Sequence, residues 1–290
     1  MVCWLCHLAE RPDPALEHQK PMFEPVPIFI ISYNRGAYLA KVCASYRLQA
    51  HRTRLIIHDN GSDDEATLDI LCGLEQAGVE VFRRSKIDHA GDLNLVDATV
   101  REFSQRESYF GPYVVTDCDI DLSDTGRNAL LVYRELLEQF PQAKCVGPML
   151  TIADVPKSYP LFQHAMNRHV DQFWSTEPHW IDTRFGTLAV RSALIDTTFA
   201  LHRPREPFRR GKMGIRVYHP FEARHLDWYL DAEIMSTYAK TSSSNISHWD
   251  NWDQIRQWRC LPKVVRSYKI VAGEIGALRV VERTTADNPD

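Results

Sequence analysis

The segment Val26–Gly36 reads VPIFIISYNRG and contains the pattern from which the fold can be predicted. A short apolar run ends at Ser32, and a polar turn that closes on glycine follows directly. Such a run is typical of a buried strand, and the residues at about 37–47 have a helical pattern. The segment therefore predicts one strand–turn–helix unit, with Asn34 and Arg35 in the turn.

The same unit recurs along the first half of the chain. Apolar runs at 55–58 and 113–116 end in the acidic turns DNGSDD and DCDID, which begin at Asp59 and Asp117. Strands and helices that alternate at this spacing predict an α/β fold with a parallel sheet. The remaining predicted elements are short strands at 79–82 and 145–147 and helices at about 65–76, 93–106 and 124–140.

Three predicted strands end in turns that carry Asn34, Asp59 and Asp117. Parallel sheets bind ligands at the carboxyl ends of their strands, so these side chains are expected at one edge of the sheet. Asn and Asp are also common turn formers and helix caps, which explains any one of the turns. Three such turns at one edge favour a binding site.

The alternation stops after residue 150. Stretches at 185–190 and 197–202 predict an antiparallel hairpin, and a helical pattern covers 225–239. A loop at 202–216 holds six cationic side chains against one glutamate. No repeat or low-complexity linker interrupts the chain, so we expect one domain with a variable second half.

Composition excludes several classes of protein. The 290 residues carry a net charge of −4, whereas dedicated nucleic-acid binders are usually basic. No apolar run of the roughly 18 residues that a membrane span needs is present, although peripheral membrane contact stays open. Seven scattered cysteines and the absence of a basic-then-apolar leader predict a cytoplasmic protein with reduced thiols.

Asp117 and Asp119 form a D-x-D pair directly after a predicted strand. Alternate residues of a strand point to the same face, so both carboxylates can be directed at one spot beyond the strand end. Hard oxygen ligands without a complete protein cage suit Mg²⁺ or Mn²⁺, which complete their shells with water and phosphate oxygens. The alternative is a solvated acidic turn that caps the next helix.

Three segments together, PIFIISYNR, IIHDNGSDD and YVVTDCDIDL, resemble the GT-A-fold glycosyltransferases, and within them the family 2 type. The resemblance covers roughly residues 26–150. It implies a GT-A-like, Rossmann-type, mostly parallel sheet flanked by helices, with an antiparallel hairpin and a variable C-terminal half. The implied organisation is a flexible N-terminal extension, 1–25, and one domain, 26–290, whose halves bind the nucleotide (26–150) and the sugar or acceptor (151–290).

The resemblance also implies a function. Such enzymes of the hexosyltransferase class move a sugar from a nucleotide-sugar donor, most often a UDP-sugar, to a saccharide or another hydroxyl-bearing acceptor. They depend on Mn²⁺ or Mg²⁺, and the family 2 type inverts the configuration at the anomeric carbon. The cationic loop at 202–216 would then lie over the diphosphate or bind an anionic acceptor, or it is a solvated surface loop.

Roles for single residues follow from the same resemblance. Asp59 would bind the nucleotide base, and Asp119 would bind the metal. The implied catalytic base is Asp227, with Asp231 as the second choice, since both would lie on one face of the predicted helix. Asp117 would bind the ribose or the metal, and His248 would bind the metal. The residues that would contact the nucleoside are Ser32, Asn34, Arg35 and Asp92.

Two other functions stay open. Phosphatases of the haloacid-dehalogenase type also carry a D-x-D after a strand, but normally after the first strand and with Thr or Val where this chain has Asp121. A non-catalytic nucleotide-sugar-binding module would keep Asp59 and Asp119 and show no turnover. Turnover of nucleotide sugars distinguishes the transferase from both.

Overall fold

The structure of the protein is a computed structural model. It describes residues 24–86, 95–160, 162–169, 173–174, 177–230, 266–272 and 278–284.

Four parallel strands form the first half of the sheet, in the spatial order β3-β2-β1-β4. Three of them, β1, β2 and β4, are mostly apolar and mostly buried, as expected of strands that are covered by helices on both faces. The elements are β1 (Val26–Ser32), α1 (Gly36–Arg47), β2 (Thr53–Asp59), α2 (Glu65–Gln76), β3 (Glu80–Arg83), α3 (Val96–Glu107) and β4 (Tyr113–Asp117).

The second half of the chain extends the same sheet. Its elements are β5 (Ile120–Asp121), α4 (Ala129–Gln139), β6 (Cys145–Pro148), α5 (Phe162–His169), β7 (His179–Thr183), β8 (Gly186–Ile195), β9 (Ala200–His202), β10 (Lys212–Val217), β11 (Arg224–His225) and a 3-10 helix (Leu226–Tyr229). Two further strands, β12 (Arg266–Ala272) and β13 (Leu278–Thr284), pair with each other.

Among the described residues, nine strands form one sheet in the order β3-β2-β1-β4-β9-β6-β10-β8-β7. Only β8 and β9 run against their neighbours, so the other seven strands point the same way. The expected fold class, a mostly parallel α/β sheet flanked by helices with an antiparallel hairpin, is confirmed. Within the described ranges, no helix combines the length and the apolar character needed to cross a bilayer.

The hairpin lies at a different place from the one predicted. It joins β7 to β8 through the turn at Thr183–Gly186, where Gly186 has φ +104°. The residues expected to form its turn, 191–196, instead continue β8 as far as Ile195. Ala193 and Ile195 are buried while Leu194 is exposed, so this stretch alternates as a strand does.

Helices cover both faces of the sheet. Ile28 and Ile30 of β1 face α1, α2 and α4, where Leu39 and Leu71 are fully buried. Phe29 faces α3, and its ring meets that of Phe103 edge-on with 5.5 Å between centroids. Burial of these side chains contributes about 1.5–3 kcal/mol each to the free energy of folding and fixes the sheet between two helical layers.

The first turns of α1 and α2 meet at the carboxyl edge of the sheet. A Cβ on Gly36 would lie 2.8 Å from the Thr67 Cα, so only glycine allows this approach. The Gly36 N–H donates to Thr67 Oγ1 at 2.9 Å, while Asp64 caps α2 by accepting from the Thr67 N–H at 2.8 Å. The turns after β1 and β2 are therefore held side by side.

Candidate metal centre

The ends of three parallel strands meet at one edge, as the sequence predicted. Ser32 at the end of β1 pairs with Asp59 at the end of β2, and Ile31 pairs with Asp117 at the end of β4. The register therefore places these three strand ends level with one another.

Asn34 links the two neighbouring turns. Its side-chain amide donates to Asp63 Oδ1 at 2.6 Å, and its Oδ1 accepts from the N–H groups of Asp63 at 2.9 Å and Asp64 at 3.1 Å. Asn34 has φ +48°, a left-handed conformation that asparagine adopts more readily than most residues. These contacts give Asn34 a structural role, and the expected nucleoside contact stays a prediction.

Asp59 organises its own turn. The side chain is 1% exposed; Oδ1 accepts from the Ser62 hydroxyl at 2.5 Å and Oδ2 accepts from the Ser62 N–H at 3.0 Å. Ser32 Oγ, also buried, has no hydrogen-bond partner among the described residues. A buried hydroxyl without a partner is unusual. Ser32 is therefore better placed than Asp59 to bind a ligand at the ends of β1 and β2.

A candidate metal centre lies beyond the end of β4. Asp119, His225 and Asp227 each offer one ligand atom, and the three atoms lie within 4.8 Å of one another. The side chains of Asp119 and Asp227 are buried, at 7% and 1% exposed. The antiparallel pairing of β11 with β5, in which His225 stands opposite Ile120, brings these distant residues together.

Arg35 provides the positive charge at this cluster. Its Nη1 donates to Asp119 Oδ2 at 2.9 Å and to Asp227 Oδ1 at 2.6 Å, and its side chain is only 11% exposed. Two buried carboxylates of like charge need such compensation, since an unpaired buried charge is strongly unfavourable. The resemblance implied a nucleoside contact for Arg35; the structure shows its contacts to the two carboxylates, and the nucleoside contact stays a prediction.

The donor set of the cluster fits a divalent cation. Asp119 Oδ1 and His225 Nδ1 are buried and have no hydrogen-bond partner among the described residues. Burial raises the pKa of Asp119, while the nearby His225 acts to lower it and the carboxylate of Asp227 raises it further. A bound cation would supply a partner for the Asp119 oxygen and offset this unfavourable charge.

Aromatic packing fixes the imidazole of His225. Its ring stacks on the indole of Trp228, with 4.9 Å between centroids and 5° between planes. Trp228 is buried and meets the His169 ring at 4.6 Å. A ring that is held in this way presents its nitrogens in a fixed direction, which is what a metal ligand requires.

Asp117 has a different environment from Asp119. Its Oδ2 accepts from the Thr197 hydroxyl at 2.5 Å, and its N–H donates to the Thr197 carbonyl at 2.8 Å. Burial raises the pKa of Asp117, and the negative charge of Asp119 raises it further. β4 ends at Asp117 and residues 118–119 form a turn, so strand alternation does not govern Asp119. A metal or ribose contact by Asp117 stays a prediction.

The segment 202–216, expected to be one cationic loop, is a loop only between β9 and β10, because β10 begins at Lys212. Its cationic side chains are braced against the fold. Arg203 donates to the carbonyls of Ala143, Leu137 and Phe140, each at 2.6 Å. The other contacts are Arg209 with Asp97 at 3.3 Å, Arg210 with Asp196 at 2.6 Å, Lys212 with Glu206 at 3.2 Å and Arg216 with the Pro148 carbonyl at 2.8 Å. Internal contacts therefore engage most of this charge.

Several predicted residues fall outside the described part of the chain, namely Asp92, Asp231 and His248. The helix expected at 225–239 is absent as far as it can be followed. His225 belongs to β11, the 3-10 helix covers 226–229, and Leu230 is extended with ψ 145°. Asp227 lies in the 3-10 helix, and because Asp231 lies outside the described residues, the expected shared face of Asp227 and Asp231 stays a prediction.

His225 is the residue that sequence reasoning missed. It stands two positions before Asp227, in the segment His225-Leu226-Asp227. A His-x-Asp spacing brings two ligand types close together in the chain, here at the junction of β11 and the 3-10 helix, and this signal could have singled it out.

No protein-family model and no curated protein matches this chain. Among solved structures, it is similar to the mannosyltransferase PcManGT from Pyrobaculum calidifontis in complex with GDP-Man and Mn²⁺, with a TM-score of 0.35 and 16% identity over 52% of this chain and 42% of that chain. It is also similar to S. aureus TarS 1-349 in complex with UDP-GlcNAc, with a TM-score of 0.34 and 13% identity over 47% of this chain and 38% of that chain.

A third similar structure is that of S. aureus TarS, with a TM-score of 0.41 and 11% identity over 80% of this chain and 42% of that chain. The chain spans about two fifths of the length of each of these three proteins.

Proposed function

We propose that the protein is a metal-dependent glycosyltransferase that moves a sugar from a nucleotide-sugar donor, a UDP-sugar in the first instance, to an acceptor hydroxyl with inversion. The observation that carries the proposal is the group Asp119, His225 and Asp227 beside the carboxyl ends of parallel strands. In open α/β sheets this edge is where nucleotides bind.

Asp119, His225 and Asp227 would hold the cation, which when bound would offset the negative charge that develops on the leaving nucleoside diphosphate. One nitrogen among the ligands favours Mn²⁺ over Mg²⁺, since Mg²⁺ prefers oxygen ligands. Arg35 holds both carboxylates of the group in position before substrate binds.

The nucleoside would lie at the ends of β1 and β2. There the buried Ser32 hydroxyl has no partner among the described residues, and Asp59 holds the turn at residues 60–64 in shape. Asn34 joins that turn to the one after β1, so the two turns form one preorganised wall.

Transfer to a hydroxyl needs a group that accepts the proton of the acceptor. Asp227 was expected to be that base, but its contact with Arg35 and its place in the metal group favour a ligand role. A carboxylate that is engaged by a cation is a poorer proton acceptor. We therefore propose Asp227 as a ligand and Asp231 as the base.

The test is release of nucleoside diphosphate from a panel of nucleotide sugars, with Mn²⁺ or with a chelator. We expect slow release without acceptor that needs Mn²⁺, and Asp119→Asn should abolish it while Asp69→Asn, an exposed acid on α2, retains it. Release of phosphate from aryl phosphates instead would indicate a phosphatase. Nucleotide-sugar binding without turnover would indicate a binding module.

A further inference from the structure

One nitrogen of Arg35 contacts both acids of the candidate metal group. Nη1 lies 2.9 Å from Asp119 Oδ2 and 2.6 Å from Asp227 Oδ1, so a single N–H-bearing atom bridges two carboxylates. The guanidinium therefore already supplies the charge that these buried acids require. Any divalent cation bound by the same acids has to share them with this positive charge or displace it.

Arg35 is placed so that it can leave. It belongs to the turn between β1 and α1, where its backbone has φ −139° and ψ 46°, and it contacts the acids only through the end of a long side chain. Its guanidinium lies 5.8 Å from the centroid of the Tyr38 ring, which offers a second surface for the cation. The acids, in contrast, flank the paired strands β5 and β11, and the Leu226 N–H donates to the Asp119 carbonyl at 2.8 Å, so backbone pairing holds their segments together.

We propose that Arg35 is a tethered competitor of the divalent cation, which neutralises Asp119 and Asp227 in the metal-free protein and is displaced when the metal binds. This inference rests on the proposed function, because it concerns the same metal site. Arg35 therefore lowers the affinity of the free protein for the divalent cation, because the cation has to break two charge-assisted hydrogen bonds when it binds.

The test is calorimetric titration of the full chain with Mn²⁺ alone. We expect Arg35→Gln to bind Mn²⁺ at least about ten-fold more tightly than the wild type, because removal of the competing charge leaves two uncompensated carboxylates. Arg35→Lys keeps a positive charge on a flexible side chain and should bind Mn²⁺ more weakly than Arg35→Gln. Arg47→Gln, an exposed site at the other end of α1, is the matched control and should change nothing.

The outcomes separate this inference from the proposed function. Wild-type binding of Mn²⁺ with equal or weaker binding by Arg35→Gln would overturn the competition and leave the metal site intact. Failure of both proteins to bind Mn²⁺ would overturn both.

If Arg35→Gln does not fold, a crystal of the wild type grown with Mn²⁺ decides the question. Displacement predicts that Arg35 Nη1 has left hydrogen-bond distance of at least one carboxylate. Retention of both contacts beside a bound Mn²⁺ would overturn the proposal.

Discussion

Leu226 donates its backbone N–H to the carbonyl oxygen of Asp119 at 2.8 Å. This bond continues the ladder in which His225 pairs with Ile120, and together they hold the segment of β11 against the turn that carries Asp119. The candidate metal centre is therefore assembled by backbone pairing between residues far apart in the chain.

His225→Gln tests the nitrogen ligand. We expect the affinity for Mn²⁺, measured by calorimetry, to fall at least about ten-fold, because the imidazole is lost while the backbone pairing of β11 remains. His179→Gln, on the exposed edge strand β7, is the matched control. Unchanged affinity in His225→Gln would remove this residue from the metal centre.

Asp227→Asn and Asp231→Asn separate a ligand from a base. We expect Asp227→Asn to weaken Mn²⁺ binding at least about ten-fold, and Asp231→Asn to lower turnover by about 10²–10⁴ while Mn²⁺ binding is kept. Calorimetry and nucleotide release are measured on the same preparations. Normal Mn²⁺ affinity together with lost turnover in Asp227→Asn would return the role of base to Asp227.

Asn34→Ala should lower the free energy of unfolding, because three side-chain hydrogen bonds between two turns are lost at a residue with positive φ. We expect a loss of about 2–4 kcal/mol in urea denaturation. Asn34→Gly loses the same bonds but tolerates φ +48°, and should be about 1 kcal/mol more stable than the alanine variant. Equal stability of wild type and alanine variant would contradict the bracing role.

Glu222 predicts a pH dependence of stability. Burial raises its pKa from 4.5 to about 7, and its oxygens accept from the Thr151 hydroxyl and the His219 N–H at 3.1 Å. Between these two pH values the folded state holds a proton that the unfolded state has lost. Stability therefore falls as pH rises from about 4.5 to 7, and the loss is complete above that range.

Glu222→Gln should remove this loss. In urea denaturation we expect the variant to gain stability relative to wild type between pH 5 and pH 8, by about 1–3 kcal/mol. Burial lowers the pKa of His58 to about 4, which destabilises the fold in acid, but this effect is common to both proteins and cancels in the difference. Glu138→Gln on the surface of α4 is the control, and an equal gain there would contradict the assignment.

The parallel half of the fold was predictable because its signals are local. The runs at Val26–Ser32 and Thr53–Asp59 are apolar enough to be buried on both faces, and the turns after them hold the residues that cap or brace the next helix. The gathering of Asp59 and Asp117 at one edge then follows from parallel strand direction alone.

The metal group was only half predictable, because its geometry depends on long-range pairing. The sequence shows that Asp119 follows a buried strand. The strand ends at Asp117, however, and residues 118–119 form a turn, so the strand alternation that predicted a shared face for the two carboxylates does not hold at Asp119. His225 comes close to Asp119 only because β11 pairs with β5. Each of these strands has two residues, which is too short for a recognisable alternation in the sequence.

The most direct measurement is the anomalous scattering of a crystal grown with Mn²⁺. The proposed function predicts a difference peak bounded by the side chains of Asp119, His225 and Asp227. A crystal grown with excess Mn²⁺ that shows no anomalous peak between these three side chains, or shows the Mn²⁺ peak only at another place, would contradict the proposed function.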